Sequence, residues 1–154
     1  TICAARRKPV FGHIRNSAMI LNDYGRIVAE EWARTAELRE SMELDEFVVM
    51  PNHFHGIVIL TTKCRGMARH APTFGKPQAQ SLASIIGSFK SAATKHINHY
   101  RAERDLASVH VWQRNYYERI IRHEKEFNDT RHYIIENPSH WNIDSENPEN
   151  QNRP

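Results

Sequence analysis

Cysteine is nearly missing from this chain. Its 154 residues hold two, Cys3 and Cys64, far apart and in no Cys-x-x-Cys pair. That sets aside a paired-thiol motif and makes a reduced, intracellular compartment the simple expectation. No apolar run approaches the roughly 20 residues of a membrane span, and no signal peptide is visible, so no membrane partner is expected. No internal repeat appears, which excludes an array architecture. Neither sign of charge dominates. Lys and Arg total 21 against 18 Asp and Glu, giving +3 with histidines neutral and a sequence pI near 9.0. That balance permits nucleic-acid binding without demanding it. A starting methionine is lacking too. The opening "TIC" reads as the tail of a strand, so the chain is expected to be a piece missing its first few residues.

What is present suits one domain with one core: 40% hydrophobic and 25% charged residues in 154. "TICAARRKPVFGHI" mixes a short strand, a basic turn and a second apolar patch. "SAMILNDYGRIVAEEWARTAELRES" predicts a helix, capped by Asn22, with Val28, Trp32 and Ala36 at helical spacing. "MELDEFVVM" and "HFHGIVIL" flank the turn residues Pro51 and Asn52 and predict an antiparallel hairpin. "SLASIIGSFKSAATKHINHYRAER" predicts a second helix behind Ser81. Its stripe is Leu82, Ile85, Ile86, Phe89, Ala93, Ile97 and Tyr100, with Lys90, Thr94, Asn98 and Arg101 on one flank. "VHVWQRNYYERIIRH" reads as extended, and "EKEFNDTRHYIIEN" as a third helix stopped by Pro138. Two segments read as irregular. One is the long 61–80 loop with Lys63, Arg65, Arg69, His70 and Lys76; the other is the polar tail 142–154, expected to be disordered. The order predicts an α+β domain over 1–141, with helices on an antiparallel sheet.

Polar rings inside an apolar hairpin raise the question of function. Strand side chains alternate, so His53 and His55 share one face and Phe54 takes the other. Two imidazoles on one face are well placed to share a metal ion. With ten histidines in the chain, a chance pair is the bland alternative. On the third helix Tyr133 and Asn137 lie one turn apart, flanking an apolar stripe of Phe127, Thr130 and Ile134. An amide oxygen suits Mg²⁺ or Mn²⁺, and a tyrosine one turn away can attack what that ion polarises. A packed tyrosine beside a helix-ending Asn-Pro is the competing reading, and from the helix alone it is the simpler one.

Several segments together resemble one family. "VVMPNHFHGIVIL" is similar to the histidine-hydrophobic-histidine strand of the single-tyrosine transposases of the HUH endonuclease superfamily. In order downstream, "SLASIIGSFKSAATKHIN", "VWQRNYYERIIR" and "RHYIIENPSHW" resemble segments of the REP-associated tyrosine transposases. "FGHIRNSAMILNDYGRIVAEEW" resembles their amino-terminal region. The resemblance implies a ferredoxin-like fold with the histidine pair on a central strand. It implies His53, His55 and Asn137 as ligands of Mg²⁺ or Mn²⁺, and Tyr133 as the nucleophile. The implied reaction is cleavage and rejoining of single-stranded, hairpin-containing DNA through a 5′-phosphotyrosine link without a nucleotide cofactor. The implied setting is the bacterial cytoplasm at the nucleoid, as a monomer or a homodimer.

Around this core stand weaker assignments and rivals. Trp112 and Gln113 suit stacking on and hydrogen bonding to unpaired bases, although a tryptophan at a strand start is more often core. Lys90, Lys95, Arg101 and Arg104 suit phosphates, although charge on a helix face is usually only solvated. Tyr116 and Tyr117 are competing nucleophiles, with plain strand aromatics as the alternative. His96 and His99 read as helix-surface residues, and Glu43 and Asp45 as a strand entrance. Two other functions remain open at this point: a DNA-binding module that has lost cleavage, and a small zinc hydrolase using His53, His55 and Cys64 or His70.

Overall fold

A computed structural model describes residues 1–39, 42–61 and 81–150. Along the chain run β1 (Ile2–Cys3), a 3₁₀ turn at Ala5–Arg7, β2 (Gly12–Arg15), β3 (Ala18–Leu21) and α1 (Asp23–Glu37). They are followed by β4 (Met42–Val49), β5 (His53–Leu60), α2 (Leu82–Ala102), α3 (Glu124–Glu136) and a 3₁₀ run over Asn137–Ile143. The class is α+β, with three α-helices and antiparallel sheets among the described residues. No described helix is long and apolar enough to cross a membrane.

Local chemistry sets the helix starts. Asn22 Oδ1 accepts from the Gly25 N–H at 3.0 Å, and Ser81 Oγ accepts from the Ser84 N–H at 3.2 Å. Each cap contributes about 1 kcal/mol. The third helix has no side-chain cap, but Glu124 and Glu126 complement its positive end.

The β2–β3 hairpin is not in the sequence reading. Its turn residues Asn16 (φ 51°) and Ser17 (φ 61°) are both left-handed, the combination that matches the twist of a two-residue hairpin. Gly12 (φ 146°) opens this hairpin where a Cβ would lie 2.1 Å from the Ile20 carbonyl oxygen.

The second hairpin forms as expected. β5 pairs with β4 on one side, Val49 opposite Phe54, and with β1 on the other, Cys3 opposite His53. A bulge interrupts β4 between Leu44 and Phe47. Beyond β1 runs the extended 111–117 segment. Ala5 N–H donates to Val111 O at 2.8 Å, Gln113 N–H to Cys3 O at 2.9 Å, and Tyr117 N–H to Thr1 O at 2.9 Å.

Period-two alternation on β5 divides core from site. Phe54 turns toward α1 and α2, its ring 4.7 Å from Trp32 and 5.5 Å from Phe89. Val28, Ile86, Ala93 and Ile97 complete that layer. The opposite face carries His53 and His55 and is covered by α3 and the 3₁₀ run that follows.

One expectation is corrected here. Residues 142–150, read as disordered tail, fold back onto the domain. Asn147 is buried and donates to Trp141 O at 3.0 Å, while Glu146 pairs with Arg7 at 3.0 Å. Asparagine-to-carbonyl bonds order this segment where its apolar content cannot. Residues 151–154 lie outside the described residues, as does the 61–80 loop beyond residue 61, with its basic residues and Cys64.

Candidate functional site

The tight turn between β4 and β5 delivers the first histidine. Met50 N–H donates to His53 O at 2.8 Å, and Asn52 is fully buried in the turn. The Asn52 amide nitrogen donates to Arg7 O at 3.0 Å and Glu146 O at 2.7 Å. Those two carbonyls fix which way the amide points. Its oxygen therefore faces His53 Nδ1, 2.9 Å away. An amide oxygen only accepts, so Nδ1 carries the proton and Nε2 presents a lone pair. His55 Nδ1 lies 2.8 Å from Thr1 Oγ1, so its ring is held as well.

The two imidazoles meet edge to face, with centroids 4.6 Å apart. Burial pushes both well down, His53 to about 4 against the opposing pull of Asp144, and His55 to about 3. Both are thus neutral near pH 7, the form that binds metal.

Four buried atoms here have no hydrogen-bond partner: Nε2 of His53, Nε2 of His55, Oδ1 of Asn137 and Oδ2 of Asp144. Leaving such an atom unsatisfied costs about 1–3 kcal/mol each. The set is two nitrogens and two oxygens, and a divalent cation satisfies all four kinds at once. Among the described residues, no three His, Cys, Asp or Glu side chains stand as a ready-made metal-holding group, so binding an ion would have to draw these side chains closer together. The amide of Asn137 is the neutral oxygen of the set.

The third helix brings Tyr133 to the same place. Its ring lies 5.4 Å from that of His55, edge to face, and is 54% exposed. Burial of part of the phenol, then the nearby Asp144 carboxylate, raise its pKa, while the Asn137 side chain pulls the other way. The tyrosine is protonated at neutral pH. Asn137 itself is buried, at the junction of α3 and the 3₁₀ run. Helical spacing thus brings ligand-type and nucleophile-type side chains to one point, as expected. Arg131, one turn before Ile134 and Ile135, pairs with Asp45 at the β4 bulge and fastens α3 to the sheet. An open groove of about 1100 Å³ runs past Tyr133 and His55 along Tyr116, Tyr117, Ile120 and Phe127.

Of the residues expected at DNA, Trp112, Lys90 and Arg101 are engaged within the fold. Trp112 is 2% exposed and packs between Phe11 and Phe89, which leaves no free face for a base. Lys90 Nζ donates to the Gln113 and Arg114 carbonyls, 3.0 Å from the latter. Arg101 donates to Ala107 O and Tyr24 Oη. Asn98 bonds to both backbone groups of Val109. That helix flank is a clamp on the segment after α2. Gln113 is half-buried, and Lys95 is exposed on α2.

Two residues of the site went unread in the sequence. Asn52 reads as a turn residue, and its place beside the first histidine is the available signal. Asp144 lies in the polar tail, and no spacing points to it.

Similarity adds kinship. Over 150 residues the chain is 37% identical to an uncharacterized protein of Haemophilus influenzae, covering 94% of this chain and 81% of that one. The chain belongs to that protein's family. No family model matches it, and no solved structure does. The Haemophilus relative carries no described activity, so the chemistry rests on the side chains themselves.

Proposed function

We propose that this protein is a metal-dependent single-stranded DNA transposase or endonuclease that cuts and rejoins DNA through Tyr133. The observation that carries the reading is the convergence of unsatisfied donors on His53, His55 and Asn137 beside a half-exposed tyrosine. We read the fold as ferredoxin-like, with the histidine pair on a central strand. The spatial order of the 111–117 segment, β1, β5 and β4 supports that reading.

His53, His55 and Asn137 would hold Mg²⁺ or Mn²⁺. The bound ion would supply Lewis-acid stabilisation of charge on the scissile phosphate. Asn52 keeps His53 in the tautomer that offers Nε2. Helix α3 holds the Tyr133 phenol over the same face as His55. In the step, Tyr133 Oη forms a bond to phosphorus, the bond to O3′ breaks, and the phenol proton leaves to solvent. The departing O3′ takes a proton from water. The 5′-phosphate stays on Tyr133, and reversal by a 3′-hydroxyl rejoins a strand with no nucleotide cofactor. An unpaired, flexible strand suits the open groove past Tyr133 better than a duplex does.

The test is incubation with end-labelled, hairpin-containing single-stranded DNA and Mn²⁺, resolved on a denaturing gel. A covalent protein–DNA band that needs both the metal and Tyr133 is expected. Absence of the band across hairpin substrates, or an undiminished band from Tyr133→Phe, overturns the reading.

A further inference from the structure

We propose that Asp144 supplies a fourth side-chain donor to this metal centre, an anionic oxygen beside the two imidazoles and the amide of Asn137. The inference rests on the metal reading above and adds a ligand to which no motif or spacing points.

The 3₁₀ run over Asn137–Ile143 turns the chain back, so that Asp144 arrives over β5. Its N–H donates to Trp141 O at 3.2 Å, and its Oδ1 accepts from the Glu146 N–H at 2.7 Å. Those bonds fix the carboxylate. Its other oxygen, Oδ2, is buried without a partner and stands 3.7 Å from His53 Nε2. That distance is too long for a hydrogen bond. In the neutral ring the single proton sits on Nδ1, facing the Asn52 oxygen. In that form a lone pair faces a carboxylate oxygen, both atoms buried, an arrangement that repels unless a cation stands between them.

The spacing suits that cation. Two donors each about 2.1 Å from one ion, subtending about 90–120°, lie about 3.0–3.6 Å apart, close to the 3.7 Å found here. The charge suits it as well. Two neutral imidazoles and an amide leave a divalent ion uncompensated, whereas a carboxylate offsets half its charge and favours hard ions over soft ones. The neighbouring acid is not available for this role. Glu146 is held by Arg7 at 3.0 Å and accepts from Cys3 Sγ at 3.5 Å.

The test uses the DNA-free protein and Mn²⁺ alone. Free and bound Mn²⁺ are separated by electron paramagnetic resonance for the wild type, Asp144→Asn, Asp144→Ala and His53→Ala. Melting is followed in EDTA and in excess Mn²⁺. Asp144→Asn keeps the Oδ1 acceptor and removes the charge. Its Mn²⁺ affinity is expected to fall at least about tenfold, since even supporting residues around a metal typically cost 10–100-fold. Its Tm in EDTA is expected to equal or exceed that of the wild type, with a smaller rise on adding Mn²⁺. Asp144→Ala is the second variant should the first fail to fold. If either folded variant binds Mn²⁺ like the wild type while His53→Ala does not, Asp144 is not a ligand and the metal reading stands. If Asp144→Asn melts lower in EDTA with unchanged binding, the residue is structural and the inference falls. If the wild type binds no Mn²⁺, the metal reading falls and this inference with it.

Discussion

The side-chain oxygen of Asn52 lies 2.9 Å from Nδ1 of His53, and two backbone carbonyls hold the amide in that orientation. The neighbour of a metal-ligand candidate thus chooses its tautomer, as supporting residues do around bound metals. Asn52→Ala is expected to lower Mn²⁺ affinity about 10–100-fold. It also strips two carbonyls of their donor, at about 1–3 kcal/mol for each buried group left unmet. Mn²⁺ titration and urea unfolding of the same variant separate the two effects. Wild-type affinity in a folded Asn52→Ala protein would remove the residue from the site.

Tyr133→Phe removes one hydroxyl from a ring that is 54% exposed. Stability should change by no more than about 0.5 kcal/mol. Metal and DNA binding should survive, and the covalent adduct should vanish. Tyr116→Phe and Tyr117→Phe should still form it. Peptide mapping decides the matter, because an adduct on Tyr116 or Tyr117 would displace Tyr133 from its role.

Structured single-stranded DNA is expected to bind more tightly than blunt duplex of the same sequence. The groove beside Tyr133 exposes Tyr117 and Ile120, surfaces on which unpaired bases can lie. Affinity should fall as salt rises, through release of counterions from phosphates. Fluorescence anisotropy at several salt concentrations measures both, and equal affinities for the two DNA forms would count against the substrate assignment.

The core side of β5 offers a test of the fold itself. A Cβ on Gly56 would lie 2.9 Å from Cε1 of Phe54 and 3.0 Å from Cζ2 of Trp32. Those rings are packed on both sides, so Gly56→Ala is expected to cost about 1–3 kcal/mol through overpacking. A denaturation midpoint equal to that of the wild type would mean the layer yields more easily than its contacts imply.

How far the sequence could be read follows from where its signals are local. Asn22 and Ser81 cap their helices because capping is decided within three residues. The face shared by His53 and His55, and the meeting of Tyr133 with Asn137, follow from periods of 2 and 3.6. Trp112 was harder, since one residue type serves core and base stacking, and only the contacts with Phe11 and Phe89 separate the two. Lys90 and Arg101 looked free because their acceptors are carbonyls of a segment that carries no sequence mark for them. The Asn16–Ser17 turn was readable in principle, as asparagine tolerates the left-handed region. Asp144 was not, because its place depends on a chain reversal that composition alone does not announce.

The bond from Asn52 to Glu146 joins residues 94 positions apart. At a synthesis rate of about 5–20 residues per second, about 5–19 s separate their appearance on the ribosome. For most of that interval the histidine hairpin exists without Tyr133, Asn137 and Asp144. A nascent chain can thus begin its core around Phe54 while the chemistry is still unassembled. The buried, unpartnered atoms of His53, His55, Asn137 and Asp144 are therefore brought together last, with residues near the end of the described chain.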